Sequence, residues 1–190
     1  MNEPGEERGK IAMENKMLIT INGMEREIEI TNKIDLESIK DEKIEVKEII
    51  IQNPELLSTL EEINFTKTGD MRGIDFSWLK YCTNLKIFVA QGICIETLDI
   101  SLLKSDELEI FDVSHNCLSS IDINLLAGKP LVRLDLSYNK WEDPIDLGLV
   151  FQQHPNIEKL RLDLRRVPVT GISVSELGKS ELCITGGIRT

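Results

Sequence analysis

The chain carries a pattern of hydrophobic and polar positions that returns about every 23 residues. The segments LEIFDVSHNCL, from Leu108, and LVRLDLSYNKW, from Leu131, both fit L-x-x-L-x-L-x-x-N-x-L, with Asn116 and Asn139 at the ninth position. Weaker copies begin at Leu60, Leu85 and Ile157, so successive copies start 25, 23, 23 and 26 residues apart. Apolar and polar residues alternate at the centre of each copy, which predicts one short, half-buried strand per copy.

A second signature runs in phase with the first. The segments IDFSWL, LDISLL, IDINLL and IDLGLV, and IDLESI nearer the N-terminus, each place an aspartate between two apolar residues. A further apolar residue follows four positions on, which is typical of an N-cap that accepts hydrogen bonds from free backbone N–H groups. The predicted caps are Asp35, Asp75, Asp99, Asp122 and Asp146. A row of carboxylates could instead bind metal, but the capping phase argues against this, and we expect neither metal nor cofactor.

The two signatures together resemble the leucine-rich repeat family over Ile34 to Val167. The resemblance implies an α/β solenoid of about five to six repeats. Each repeat would add a strand to a curved parallel sheet on the concave face and a short α- or 3₁₀-helix on the convex face. Its ninth-position asparagines, Asn116 and Asn139, would satisfy backbone groups in the turns. Only two copies carry this Asn, and the segment VKEIIIQNPELLST from Val46 is short, so the register before residue 60 stays open.

A solenoid needs capped ends, because a bare terminal repeat exposes its core. Alternating isoleucines flank Asn22-Gly23, a strong hairpin signal, so residues 17–33 are predicted to form an N-terminal capping hairpin. Residues 1–16 are polar and charged and are expected to be a flexible tail. The repeats then occupy 34–167, and 168–190 form a C-terminal cap and tail with a last strand near Leu182–Ile184.

The same phase predicts which side chains face the concave side. If the fourth and sixth positions are core, the third, fifth, seventh and eighth point outward, including Leu164 in the last copy. The candidate partner-binding residues are Ile87, Val89, Ile110, Asp112, His115, Arg133, Asp135, Tyr138, Lys159 and Arg161. The alternative is that the Ile and Val residues reflect β-propensity and that the charges are simply solvated. The adjacency of Ile87, Val89 and Ile110 is what favours a partner site.

Cysteines and histidines offer little chemistry. The four cysteines are scattered, with no C-x-x-C pair for zinc; Cys94 and Cys117 share the tenth position of adjacent copies and are expected to be free thiols. His115 and Cys117 could form a nucleophile–base pair, but no H-E-x-x-H, G-x-S-x-G or phosphate-binding loop accompanies them. We therefore expect that the protein is not an enzyme.

Composition narrows the remaining classes of protein to which the chain could belong. The chain is 41% hydrophobic and 29% charged, which excludes wholesale disorder, and no apolar run approaches the roughly 20 residues that cross a bilayer. The net charge of −11 disfavours nucleic acid, as does the lack of evident aromatics interleaved with Lys or Arg. Absence of a secretory signal and the free cysteines indicate an intracellular protein, cytoplasmic or nuclear, with a secreted origin left open.

These observations favour a protein-interaction module, a scaffold or regulatory subunit that binds a protein partner through the concave face. The alternative is a ribonucleoprotein adaptor in RNA processing or export, because LDLSYNKW through FQQHPNIEKLRLD resembles leucine-rich repeat domains of that kind. Regulation of a GTPase, known for larger relatives, is a third hypothesis. Homo-oligomerisation through an exposed sheet edge stays open.

Overall fold

The protein is described by a computed structural model that covers residues 15–36, 45–172 and 183–185. Most of the predicted N-terminal tail and of the predicted C-terminal cap lies outside these residues. The described chain is α/β, with short strands, several 3₁₀ segments and one short α-helix, α1 (Gly148–Gln153). Its strands, in chain order, are β1 (Asn15–Ile21), β2 (Met24–Ile30), β3 (Lys33–Asp35), β4 (Val46–Ile51), β5 (Glu62–Asn64), β6 (Ile87–Val89), β7 (Ile110–Asp112), β8 (Arg133–Asp135), β9 (Ile145–Asp146), β10 (Arg161–Asp163), β11 (Val169–Thr170) and β12 (Cys183–Thr185).

A seven-stranded sheet runs through the structure in the order β12-β10-β8-β7-β6-β5-β3. Every pairing in it is parallel, and each strand lies beside the next sheet strand along the chain. In the six strands of this sheet from β3 to β10, the central residue faces the core, as Phe88, Phe111 and Leu134 show by being fully buried. Because side chains alternate along a strand, the two flanking residues of each strand point to the opposite, open side.

The predicted hairpin is present, and it forms a second sheet. β1 and β2 pair antiparallel across Asn22 and Gly23, whose φ values of 48° and 80° suit the tight turn that Asn-Gly favours. β4 pairs antiparallel with β1 on its other side, which makes β1 the central strand. The segment from Val46 was predicted to belong to the repeats; its strand, β4, adds to the hairpin sheet, where it helps to cover the buried Met17 and Ile19.

Short helical segments lie between strands of the parallel sheet in the described part of the chain. Besides α1 they are the 3₁₀ segments Pro54–Thr59, Ser77–Tyr81, Ile100–Leu102, Ile123–Leu126 and Ile157–Lys159. All but the last of these 3₁₀ segments bury apolar residues, for example Trp78 and Leu79 in the second and Ile123 and Leu126 in the fourth. The last strand predicted near residue 184 is β12, which pairs with β10.

The predicted aspartate caps have mixed outcomes. Asp75, Asp99 and Asp146 each accept a hydrogen bond from the backbone N–H two residues on, at 2.7, 2.9 and 2.9 Å. Asp122 precedes its 3₁₀ segment but makes no such side-chain bond. Asp35 lies within β3, beside Asn64 in the register, and its carboxylate is 3.5 Å from the Lys33 ammonium. The residues that its predicted cap would precede, 37–40, lie outside the described residues.

Asn116 ties two neighbouring turns together, as the repeat pattern predicted. Its Oδ1 accepts from the backbone N–H groups of Ile93 and Ile95, at 3.0 and 3.3 Å. Its Nδ2 donates to three carbonyls, including that of Ala90 at 2.6 Å. Asn139 repeats the arrangement one strand on, accepting from Leu118 N–H and donating to three carbonyls. These side chains satisfy buried backbone groups that no strand partner reaches.

The core is one continuous apolar cluster that reaches from the hairpin to β11. Phenylalanines reinforce it: Phe88 and Phe111 stack across β6 and β7 with ring centroids 5.7 Å apart. Trp141, predicted to lie in the core, is partly buried, and its indole N–H donates to the carbonyl of Leu136 at 3.0 Å. Stacking of equivalent positions is what allows so few aromatic residues to serve the whole chain.

Candidate binding face

The open side of the parallel sheet presents two rows of side chains, one before and one after each central core residue. We call this surface the open face. The first row comprises Lys33, Glu62, Ile87, Ile110, Arg133 and Arg161. The second comprises Asp35, Asn64, Val89, Asp112, Asp135 and Asp163.

An apolar patch lies near the middle of the open face. Ile87 and Ile110 are direct neighbours in the register of β6 and β7, and Val89 follows on the same side of β6. All three side chains are partly exposed, in contrast to the fully buried Phe88 between them. The structure thus brings together the three apolar residues that the sequence pattern predicted.

The acidic residues beside this patch are buried, contrary to the prediction that they would be exposed. Asp112 and Asp135 keep only 2% and 5% of their surface accessible. Each Oδ1 accepts from the N–H and the hydroxyl of the serine two residues on, Ser114 or Ser137, at 2.7 to 3.1 Å. The two outer oxygens accept from one guanidinium, Arg133 Nη2, at 2.7 and 3.2 Å.

This arrangement makes the three charges an internal network. Burial raises the pKa of Asp112, and the neighbouring Asp135 raises it further; the hydrogen bonds from Ser114 and the charge of Arg133 act in the opposite direction. Arg133 is therefore committed to two carboxylates of its own chain, although about half of its side chain is exposed. Asp112 and Asp135 are better described as support for the strand ends than as contacts for a partner.

The last copy of the repeat is displaced from its predicted register. β10 pairs Arg161 with Arg133 and Asp163 with Asp135, so Arg161 occupies the first row and Asp163 the second. Lys159 lies one turn earlier, at the end of the 3₁₀ segment Ile157–Lys159, and is not on the open face. Leu164, predicted to point outward, is buried in the core.

The reason is a longer connection. Equivalent residues are 23 apart from β7 to β8 but 28 apart from β8 to β10, because α1 and a further 3₁₀ segment lie between the two strands. The tetrapeptide Arg-Leu-Asp-Leu, which occurs at both Arg133 and Arg161, is the sequence signal that would have given the correct register.

A third row follows the strands at their carboxyl ends, and we call it the edge row. Its members all have a positive φ, between 51° and 66°; they are Lys67, Gly92, His115, Tyr138 and Arg166. Such a conformation favours Gly or Asn, yet four of the five positions carry long polar, basic or aromatic side chains. The edge row thus displays Lys, His, Tyr and Arg side by side.

Two rings of the edge row stack on each other. The centroids of His115 and Tyr138 are 4.4 Å apart, with 16° between the ring planes. Arg165 and Arg166 place their guanidinium carbons 5.0 and 5.2 Å from the centroid of the Tyr138 ring. The sequence showed no aromatics interleaved with basic residues, but the fold creates such a cluster from residues 23 to 28 positions apart.

Arg165 and Arg166 differ in their carboxylate contacts. Arg165 donates through Nε and Nη2 to Asp163. Partial burial acts to raise the pKa of Asp163, but these hydrogen bonds outweigh it, and the pKa is lowered. Arg166 makes no ion pair among the residues that the structure describes, and its one ring contact is with Tyr138. The free cation at this end of the edge row is therefore Arg166.

Thiols and potential metal ligands are the other reactive groups among the described residues. Cys82, Cys94 and Cys117 are free thiols, and burial raises the pKa of Cys82 to about 12. Burial is also the main cause that raises the pKa of Cys94. Within residues 15–36, 45–172 and 183–185, no three His, Cys, Asp or Glu side chains gather as potential metal ligands.

Comparison with known proteins found no match: no family model matches the chain, and neither does any curated protein. The described part of the chain contains no helix that is long and apolar enough to cross a membrane.

Proposed function

We propose that this chain is a leucine-rich repeat solenoid and that it acts as a protein-interaction module, a scaffold or regulatory subunit rather than an enzyme. Two observations support the family: parallel strands that follow one another in chain order, and asparagines that link adjacent turns at equivalent positions. In this proposal the hairpin sheet caps the N-terminal end, and the open face is the concave surface of the solenoid.

The observation that carries the binding function is the apolar patch of Ile87, Val89 and Ile110. The face of a sheet that meets water usually carries polar side chains. Adjacent aliphatic residues on such a face therefore favour contact with another protein. Polar and charged residues surround the patch, which is typical of an interface with an apolar centre and a polar rim. Arg161, which makes no ion pair among the described residues, supplies a free charge at that rim.

The test removes the patch without disturbing the strands. The double variant Ile87→Lys with Ile110→Glu gives the first row alternating charges from Lys33 through Glu62 to Arg133, an order that favours neighbouring pairs. Arg133 is left unchanged, because reversing its charge would also break the network with Asp112 and Asp135.

Affinity capture with mass spectrometry, using the full chain as bait, provides the readout. We expect the wild type to capture a defined protein and the double variant to lose it while keeping its circular dichroism spectrum and Tm. Leu125→Glu is the matched control, because Leu125 is 43% exposed but lies in the 3₁₀ segment Ile123–Leu126. Equal capture by the wild type and the double variant would show that the patch is not a binding surface.

A ribonucleoprotein adaptor is the second candidate, and the cluster of Tyr138 with Arg165 and Arg166 favours it. Single-stranded RNA commonly binds to surfaces of this kind, where bases stack on aromatic rings and guanidinium groups contact the phosphates. The net charge of −11 and the pairing of Arg165 with Asp163 weigh against it. Salt-sensitive binding of RNA that is lost in Arg161→Gln and Arg166→Gln would select this candidate over the first.

A further inference from the structure

The edge row contains one gap. Gly92, at a φ of +66°, stands between Lys67 and His115 and has no side chain to fill its place. The result is a depression of about 380 Å³, lined by Lys67, Gln91, Gly92 and His115. A Cβ atom at position 92 would lie 3.6 Å from Lys67 Cγ and 4.0 Å from His115 Cβ, so the space is large enough for a side chain.

One wall of this depression is an aromatic face. Tyr138, on the β8 side, covers one face of the His115 ring at 4.4 Å. The other face of the ring looks toward Gly92, because β6 is the remaining neighbour of β7. Adjacent strands are about 4.8 Å apart, so a flat group in the gap would lie at the stacking distance that Tyr138 already uses.

The cations of the row are at its two ends. Lys67 flanks the gap, and Arg166 follows Tyr138; neither makes an ion pair with any carboxylate that the structure describes. The acidic side chains on the adjoining strands already have partners: Asp112 and Asp135 are buried and bound to Ser114, Ser137 and Arg133, and Asp163 accepts from Arg165. The row therefore presents positive charge on a chain whose net charge is −11.

The backbone of the edge row disfavours the side chains that it carries. Lys67, His115, Tyr138 and Arg166 all adopt a left-handed backbone conformation, which costs a residue with a Cβ about 1 kcal/mol relative to Gly. The side chains of Lys67, His115 and Arg166 are exposed. Exposed side chains at such strained positions point to a role outside the core.

We propose that the edge row binds an extended acidic peptide, and that the gap at Gly92 takes one aromatic side chain of that peptide, stacked on His115. The five positions of the row span about 19 Å at strand spacing, the length of about six extended residues. The acidic residues of the peptide would meet Lys67 and Arg166 at the two ends. This inference rests on the proposed function and specifies the partner chemistry of a part of it.

The test fills the gap without straining the backbone. Asn tolerates a positive φ, so Gly92→Asn places a side chain in the depression while keeping the turn. His115→Asn removes the imidazole ring and again introduces a residue that tolerates the positive φ of this position. Lys67→Gln and Arg166→Gln remove the end charges, and Lys104→Gln, which follows the 3₁₀ segment Ile100–Leu102, is the charge-matched control.

A phage-displayed library of random peptides, selected against the full chain, is the probe. We expect enrichment of peptides with Asp or Glu around one Phe, Tyr or Trp. A synthetic peptide of that composition should bind about tenfold more weakly to Gly92→Asn and to His115→Asn, as judged by fluorescence anisotropy. Lys67→Gln and Arg166→Gln should each weaken binding and reduce its dependence on salt, whereas Lys104→Gln should not.

Other outcomes overturn the proposal. They are the absence of enrichment, enrichment of basic or non-aromatic peptides, or equal binding by Gly92→Asn and the wild type. Tighter binding of an oligouridylate that Gly92→Asn abolishes would assign the gap to a nucleobase instead. If Gly92→Asn still captures the protein partner and Ile87→Lys with Ile110→Glu does not, the proposal that the edge row binds a peptide is contradicted, while the proposed function stands. If neither Gly92→Asn nor Ile87→Lys with Ile110→Glu affects capture of the partner, both the edge-row proposal and the proposed function are contradicted.

Discussion

Asp112 and Asp135 occupy the same position in adjacent strands and accept hydrogen bonds from the same nitrogen, Arg133 Nη2. Two carboxylates buried this close would repel each other without a cation between them. The relationship follows directly from the repeat, because equivalent positions of a parallel register are neighbours in space. It also means that the most prominent charges of the open face serve the fold first.

Replacing Arg133 should therefore destabilise the protein. We expect Arg133→Gln to lower the free energy of unfolding by about 1–2 kcal/mol at neutral pH, since two buried carboxylates lose their cation. Urea unfolding followed by circular dichroism measures this change. Arg161→Gln, at the equivalent position of β10 but without these bonds, should leave the free energy of unfolding nearly unchanged.

The effect of Arg133→Gln should depend on pH. Burial raises the pKa of Asp112 in the folded protein. The contribution of this carboxyl group to stability is therefore fully present below its pKa in the unfolded chain, and it is lost as the pH rises through its pKa in the folded protein. Removing the guanidinium raises this pKa further. The difference in stability between Arg133→Gln and the wild type should therefore shrink as the pH falls from about 7 to about 4. A constant difference across urea titrations in that range would contradict the coupling.

Asn116 should be among the most sensitive polar positions. Asn116→Ala leaves the N–H groups of Ile93 and Ile95 and the carbonyl of Ala90 without this partner in a buried turn. We expect a loss of about 3 kcal/mol in the free energy of unfolding. Asn124→Ala, on the exposed surface of the 3₁₀ segment Ile123–Leu126, is the matched control and should change stability little.

Substitutions in the edge row should separate the demands of the fold from those of binding. Lys67→Asn is expected to raise the free energy of unfolding by about 0.5–1 kcal/mol, because Asn tolerates the φ of 51° better than Lys does. Gly92→Ala should lower it by about 1 kcal/mol for the converse reason. Thermal melts of both variants test whether each change in stability has the predicted direction. Destabilisation by Lys67→Asn would show that the Lys67 side chain supports the fold.

Two of the predicted caps should behave differently from each other. Asp99 accepts a bond from the N–H of Ser101, and hydrogen bonds from Ser101 are the main reason that its pKa is lowered. Its contribution to stability is present above the pKa of the unfolded chain and is lost as pH falls through the folded value. Asp99→Ala should therefore lower Tm at neutral pH but not in acid. Asp122→Ala, which removes no cap bond, should leave Tm unchanged in both conditions.

The strands of the central repeats could be predicted to the residue, because two signatures in phase fix which residues face the core. Ile87, Ile110 and Arg133 are neighbours in the register, as the 23-residue spacing implied. The strand of the last repeat copy, β10, was misplaced by two residues, because Leu160 fits the consensus as well as Leu162 does and both side chains are buried. Periodicity alone cannot choose between two apolar phases when a helix lengthens the connection.

The features that the sequence did not reveal depend on contacts between repeats. A buried Asp112 requires both a serine two residues on and a guanidinium from the adjacent strand. The stack of His115 on Tyr138 requires both residues to adopt a positive φ at equivalent positions. Composition and spacing gave the residue types, but only the register brought each pair into contact.

The in-order parallel sheet has a consequence for how such a chain can vary. Each strand from β5 to β8 pairs only with the sheet strands before and after it along the chain, and the step from β6 to β7 equals the step from β7 to β8. Removing or duplicating one complete 23-residue unit would therefore leave every remaining strand with an equivalent neighbour. Gain or loss of a few residues inside a strand would shift core side chains to the open face. The molecule can thus grow or shorten by whole units, and each added unit would extend its binding surfaces by one strand width.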